Sequence, residues 1–326
     1  MHDKRVYDSI LDVIGHTPLV RLNHITQDLT CQVYAKLEFL NPMGSSKDRI
    51  AKYLVEQAEA DGRLHPGDVI LENSSGNTAM GLALLAIQKG YRLKAVVRDR
   101  CSQEKLDQLT ALGVDVVKVD TALPPEHPDS YNNLTPRLAQ ETPHCYFPDQ
   151  HNNRENNQAH YLGTGPEIWE QMDGRIDVFI AGMGTGGTIG GVGRYLKERN
   201  PDVKIVAVDV EGSVYTPFFK TGVAGTSKPY LLEGLGDEFI IGCADFTVID
   251  EMLQISDRDA FLGARELARR EGLLVGGSSG AVLVALQRLA PTLAPGSRVA
   301  VLFPDSASRY LSTIFNDTWM RAKGML

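Results

Sequence analysis

The stretch DVFIAGMGTGGT, residues 177–188, reads as an apolar strand (177–181) running into a loop of Gly182, Met183, Gly184, Thr185, Gly186, Gly187 and Thr188. The pattern GGVGRYLKERN (190–200) then reads as a helix, and KIVAVD (204–209) as the next strand. Strand, glycine loop, helix and strand together make the unit of a parallel sheet covered by helices. Working outward, VYAKLE (33–38), DVILE (68–72), LKAVV (93–97) and VDVVKV (114–119) read as strands before it. FTVI (246–249) and RVAVLF (298–303) read as strands after it. KDRIAKYLVEQAEADG (47–62) and TAMGLALLAIQKG (78–90) carry helical patterns. The fold class is therefore α/β, with ligands expected at the carboxyl ends of strands. TALPPEHPDSYNN (121–133) interrupts the pattern and reads as a long surface loop, and NDTWMRAKGML at the end as a short helix or a frayed terminus.

Composition bounds the function classes. The chain has 326 residues, 43% hydrophobic and 23% charged, with 31 Gly and 16 Pro, which excludes wholesale disorder and fibrous repeats. The length suits roughly two domains of ~150 residues. A net charge of -8 argues against a nucleic-acid partner, which calls for a basic balance. No apolar run approaches the ~20 residues of a membrane span. MHDKRVYDSILDVIG lacks the apolar core of a secretory signal. Cys31, Cys101, Cys145 and Cys243 have neither disulfide-framework nor metal spacing. A reducing cytoplasm and no metal are expected, with Cys101 and Cys145 as small hydrophobes.

Two further loops match the first in kind. Glu72, Asn73, Ser74, Ser75, Gly76, Asn77 and Thr78 form one, and Gly276, Gly277, Ser278, Ser279 and Gly280 the other. All three are expected to follow strands and open helices. Such a junction binds anions, because unpaired helix N-terminal N–H groups point outward and the dipole favours negative charge. The bland reading is a tight turn without ligand, harder to sustain for three loops than for one. Gly182, Gly184 and Gly187 also satisfy GxGxxG, and Asp209 ends the next strand, as a dinucleotide fingerprint requires. A nicotinamide-dependent oxidoreductase is thus a rival, although it explains neither of the other two loops. In NPMGSSKDR (41–49), Lys47 sits where a Gly/Ser turn enters a helix. It is either a surface lysine or an amine of lowered pKa, since a cation at a helix N-terminus opposes the dipole.

NPMGSSKDR, NSSGNT, GMGTGGT and GGSSG, in this order, resemble the β-family (fold type II) of pyridoxal-phosphate enzymes, which includes cysteine synthases and cystathionine β-synthases. The resemblance runs from GHTPLVRL (15–22) to FNDTWM (315–320). FPDQHNN (147–153), AHYLGTGPEIWEQ (159–171), DVEGS (209–213), LLEGLGDEF (231–239) and PDSASRYLSTIFNDTWM (304–320) are closest to the bacterial cystathionine β-synthase-like branch. The chain looks like the bare catalytic core, without a haem segment or a regulatory domain pair.

The resemblance implies a two-lobed fold. A larger cofactor-binding lobe would comprise 1–43 and 150–326, and a smaller mobile lobe 44–149 would carry the substrate-carboxylate loop and close over the substrate. It implies pyridoxal 5'-phosphate as cofactor and a homodimer. Lys47 would be the Schiff-base lysine and the general base at Cα. Asn77 would bind the ring hydroxyl oxygen; Gly184, Thr185, Gly186, Gly187 and Thr188 the phosphate; Ser278 the pyridine nitrogen. Ser74, Ser75, Gly76, Asn77, Thr78 and Gln150 would bind the substrate carboxylate, with Gly234 and Gly236 lining the mouth. A neutral Ser278 does not hold the ring nitrogen protonated as an Asp would, which favours loss of a β-substituent and an aminoacrylate.

The implied reaction is β-replacement on L-serine or an activated serine, with homocysteine giving cystathionine as the leading case. Cysteine synthesis from O-acetylserine or O-phosphoserine and sulfide, and an amine-using β-replacement giving a diaminopropionate-type product, stay open. So does a cofactor-binding scaffold that has lost activity. Three positions depart from the family pattern. His151 replaces the common Tyr and either contacts the nucleophile or packs. Asp237 is either a base or amino-group ligand toward the nucleophile, or a solvated loop charge. Arg98, Asp99 and Arg100 form either a salt-linked surface turn or a contact for an anionic second substrate.

Overall fold

Strand and helix patterns alternate because each buried strand needs a helix to cover its face. The computed structural model describes residues 6–99, 101–120, 122–124 and 127–326. Its strands are β1 (Leu19–Arg21), β2 (Gln32–Leu37), β3 (Val69–Glu72), β4 (Arg92–Arg98), β5 (Asp115–Val119), β6 (Cys145–Tyr146), β7 (Val178–Gly182), β8 (Lys204–Val210), β9 (Glu251–Ile255) and β10 (Arg298–Phe303). The α-helices are α1 (Lys47–Ala60), α2 (Asn77–Lys89), α3 (Gln103–Ala111), α4 (Tyr131–Glu141), α5 (Glu155–Ala159), α6 (Gly165–Gln171), α7 (Gly187–Arg199), α8 (Tyr215–Thr221), α9 (Asp257–Glu271), α10 (Gly277–Leu289) and α11 (Asp317–Ala322). The chain divides into two compact units, Met1–His16 with Asn41–Glu155, and Thr17–Leu40 with Asn156–Leu326.

The first unit holds a four-stranded sheet in the order β5-β4-β3-β6, parallel throughout. All four residues of β3 are buried, as a parallel strand covered on both faces requires. Ile70, Leu93, Ala95 and Val97 face the core built with α1, α2 and α3. Leu71, Val96 and Val119 face Leu134 and Leu138 of α4. Helix α2 is buried from Thr78 to Ala86 and stops at Gly90, whose φ of 79° is a left-handed cap.

The second unit holds a six-stranded sheet in the order β1-β2-β10-β7-β8-β9, in which only β1 is antiparallel. Along β7, Val178 and Ile180 join one core and Phe179 and Ala181 the other, the alternation of a two-sided strand.

Three expectations need correction. FTVI is not a strand: Phe246–Val248 forms a 3-10 turn, because the Asp245 carboxylate accepts the Thr247 N–H at 3.0 Å and its hydroxyl at 2.6 Å. The strand at this edge of the sheet is β9, which begins at Glu251, two residues after Ile249. The loop at Gly276–Gly280 opens α10 but follows no strand; α9 precedes it, and Val275 makes only an isolated bridge with Ser306. The 121–133 stretch gives way to α4 at Tyr131 after the extended N-cap Ser130. Within it Thr121, Pro125 and Glu126 lie outside the described residues, as does Arg100. The terminal NDTWMRAKGML is a short helix, α11, capped by Asn316. No helix among the described residues is long and apolar enough to cross a membrane.

Candidate functional site

In the first unit the site begins at the turn before α1. Gly44 takes a φ of 77°, and the buried Asp48 carboxylate reaches back to accept the Met43 N–H at 2.6 Å. Ser45 Oγ accepts the Lys47 N–H at 3.2 Å. These bonds fix the first turn of α1, where Lys47 sits half-buried.

The loop from β3 to α2 is held in the same unit. Ser74 Oγ accepts the N–H groups of Gly76 and Ala79, each at 3.3 Å, so this side chain caps α2. Ser75, Gly76 and Asn77 are half-buried at the N-terminal end of the 13-residue α2. Thr78 donates its hydroxyl to Gln150 Oε1 at 2.5 Å, and both side chains are buried. The structure thus brings Gln150 to the loop across 72 residues of sequence. His151 follows, half-buried. Before them Asp149 takes a left-handed φ of 50°, unusual for a residue with a side chain.

Sequence reasoning placed Glu72 at the start of this loop but gave it no role of its own; it is the last residue of β3. It is wholly buried, and burial pushes its carboxyl up to about 8, helped by the charge of Asp149 and opposed by the backbone N–H groups of Gln150, Asn73 and Asp149. An acidic residue ending an apolar strand was the available signal.

In the second unit, Gly184–Thr188 turns from β7 into the 13-residue α7. Gly186 has a φ of 82°. A Cβ on Gly184 would stand 2.4 Å from the Gly234 carbonyl oxygen, and one on Gly186 2.8 Å from that of Cys243. The loop therefore requires bare backbone at Gly184 and Gly186. Gly236 N–H donates to the Met183 carbonyl at 2.8 Å, and Tyr215 donates its hydroxyl to the Gly184 carbonyl at 2.9 Å. This joins Gly234 and Gly236 to the glycine loop, with Tyr215 as a further support the sequence did not flag.

Ser278 is buried in the first turn of α10, whose N-cap Gly276 donates its N–H to the Asp305 carbonyl at 3.1 Å. Asp237 accepts the N–H groups of Glu238 at 2.7 Å and Phe239 at 3.3 Å, so its carboxylate caps a local turn. The Arg98 guanidinium lies 4.7 Å from the Tyr131 ring centroid, a surface stack. Asp209 does not face outward as a ribose-binding acid must. It is fully buried and accepts the N–H and hydroxyl of Thr216 at 2.9 and 2.7 Å, holding α8 to β8.

A glycine-and-threonine loop on α7, a serine-rich loop on α2 and a lysine in the first turn of α1 are the parts that resemble the fold type II enzymes. The profile of the family described as "Pyridoxal-phosphate dependent enzyme" matches residues 10–305. The chain belongs to this family. Its fold is accordingly the mixed, parallel-rich α/β fold of type II, and its cofactor is pyridoxal phosphate. Similar members include the cystathionine beta-synthase of Apis mellifera, 41% identical over 99% of this chain, and that of Dictyostelium discoideum, 40% identical over 99%. In each case the chain spans 64% of the relative's length. A cysteine synthase of Staphylococcus aureus is 39% identical over 94% of this chain and 96% of its own.

Proposed function

We propose that the chain catalyses β-replacement on L-serine or an activated serine, with homocysteine as acceptor and cystathionine as product. The observation that carries this reading is the similarity, over nearly the whole chain, to both cystathionine beta-synthases and a cysteine synthase. Both names fit replacement at the β-carbon of a serine-type donor. The loop geometry supports the cofactor assignment: glycines with no room for Cβ, at a helix N-terminus flanked by two threonine hydroxyls, suit a phosphate monoester.

In this reading pyridoxal phosphate supplies the electron sink for the bond changes at Cα and Cβ. Lys47 holds the cofactor aldehyde and moves the Cα proton. Gly184, Thr185, Gly186, Gly187 and Thr188 bind the phosphate, Asn77 the ring oxygen and Ser278 the ring nitrogen. Ser75, Gly76, Asn77 and Thr78 orient the substrate carboxylate from the end of α2, with Ser74 and Gln150 holding the loop in shape. Gly234 and Gly236 border the entrance; His151 is the position that tunes the choice of nucleophile, and Asp237, whose Oδ1 caps the turn at Glu238, would act on it only through its remaining oxygen. The lobe of residues 44–149, which carries the carboxylate loop, is the mobile one. The active form is a homodimer in the cytoplasm.

The test is the visible spectrum of the protein loaded with pyridoxal phosphate, recorded with L-serine and with O-acetyl-L-serine in the absence of thiol. A shift with plain serine, followed by cystathionine on adding homocysteine, is the expected result. A shift only with the acetylated donor replaces this reading with cysteine synthesis from sulfide, which the match to 96% of the staphylococcal relative also supports.

A further inference from the structure

The segment before α6 lies against the glycine face of α7 at close range. A Cβ on Gly187 would stand 1.9 Å from Asn156 Oδ1, and one on Gly190 2.6 Å from Asn157 Nδ2. On Gly191 it would stand 2.2 Å from the Asn157 carbonyl oxygen and 2.9 Å from His160 Cβ. Three glycines therefore admit the helix turn that carries Asn156 and His160. That turn is irregular: after α5 the backbone widens into one π-helical turn, His160–Thr164, a form frequent at functional sites.

The close approach puts two buried side chains on the two threonines of the glycine loop. Asn156 Nδ2 donates to Thr185 Oγ1 at 3.1 Å. His160 Nε2 lies 3.1 Å from Thr188 Oγ1, and its Nδ1 lies 2.9 Å from Thr164 Oγ1. Asn156 is 0% exposed and His160 1%. A hydroxyl has one proton to give and two lone pairs. Where Asn156 donates into Thr185 Oγ1, the threonine keeps its own proton for another acceptor. The same holds at Thr188 when His160 carries its proton on Nε2, the tautomer in which Nδ1 accepts from the Thr164 hydroxyl.

We infer that Asn156 and His160 are positioning residues for the cofactor phosphate: as donors to Thr185 and Thr188, they leave both hydroxyl protons to an incoming phosphate dianion. The inference rests on the assignment of the phosphate to the Gly184–Thr188 loop. Neither residue touches the ligand; each sets which way a ligand-binding hydroxyl is polarised.

The experiment measures binding of pyridoxal phosphate and of phosphate-free pyridoxal to the full-length, cofactor-depleted protein and its variants. Asn156→Asp keeps size but turns the donor into an acceptor. His160→Leu removes the donor, and His160→Gln restores an N–H near the Nε2 position. Asn156→Asp and His160→Leu are expected to weaken pyridoxal phosphate about ten- to a hundred-fold, the range for one hydrogen bond to a charged group. Pyridoxal binding should change less than about two-fold, a difference of under half a kcal/mol. The ³¹P resonance of the bound cofactor should shift in both, and His160→Gln should recover most of the affinity. If His160→Leu does not fold, the near-isosteric Asn156→Asp decides alone. Equal losses for both ligands mean a merely structural role and overturn the inference, as does unchanged phosphate affinity. If the unaltered protein binds both ligands equally, the phosphate assignment itself fails first.

Discussion

A Cβ placed on Gly81 would lie 3.0 Å from the carbonyl oxygen of Lys47 and 3.0 Å from the Cβ of Ala51. Helix α2, one turn past the Ser74–Thr78 loop, thus touches the backbone of the turn that bears the lysine. Helix propensity alone favours Ala over Gly by about 1 kcal/mol. Here the neighbours are backbone and a methyl group, neither of which can swing away. Gly81→Val should cost about 2–3 kcal/mol of stability as an overpacked core. It should also lower cofactor loading by displacing Lys47, and Gly81→Ala should do the same more weakly. Chemical unfolding and absorbance titration of both variants check this.

Glu72 gives a pH dependence. Its folded pKa, about 8, lies above the unfolded value near 4.5. Between these values the unfolded state has lost the proton that the folded state keeps, so this residue makes stability fall as pH rises. The contribution is flat below about 4.5 and above about 8, with a slope approaching 1.4 kcal/mol per pH unit between. Glu72→Gln, which stays neutral, should flatten that segment of the stability curve and gain on the parent at pH 8. An unchanged slope in the variant refutes the assignment.

Lys36 makes a second test of burial. Its side chain is fully buried, and Nζ donates to the Thr17 carbonyl at 2.6 Å, Glu167 Oε2 at 2.6 Å and Gln171 Oε1 at 2.9 Å. Removing one member of such a pair costs about 3–5 kcal/mol, because a buried charge loses its counter-ion. Lys36→Met should fall in that range, and Lys36→Met with Glu167→Met should cost much less than the two single changes summed. Strict additivity in urea unfolding would mean the two charges are not coupled.

Thr78 and Gln150 should act on substrate binding. Thr78→Val removes the hydroxyl donated to Gln150 and leaves a buried amide oxygen without that donor, a loss of about 1–3 kcal/mol. The expected kinetic result is a raised KM for the amino-acid donor with a smaller change in kcat. A kcat loss alone would place this pair outside carboxylate binding.

How much of this was legible in the sequence follows from the physics of each element. Strands such as VILE and FIA announce themselves because a parallel strand is apolar on both faces. The three glycine-bearing loops stood out for the same local reason: backbone at a helix start tolerates few residue types. FTVI misled because its apolar run is bent by a cap, Asp245, that sequence periodicity does not weigh. The antiparallel β1 was missed because three residues are too short to show a period. Asn156 and His160 were missed because their roles depend on approach across the fold, which glycines at 187, 190 and 191 permit but do not advertise. Glu72 was given no role because its burial and the nearness of Asp149 are products of the fold.

The central claim is that Lys47 holds the cofactor. The direct measurement is borohydride reduction of the protein loaded with pyridoxal phosphate, followed by mass mapping of its peptides. The account predicts a bleached visible band and a pyridoxyl label on Lys47, with no label and no turnover in Lys47→Ala. A label on another lysine, or full activity in Lys47→Ala, would contradict it.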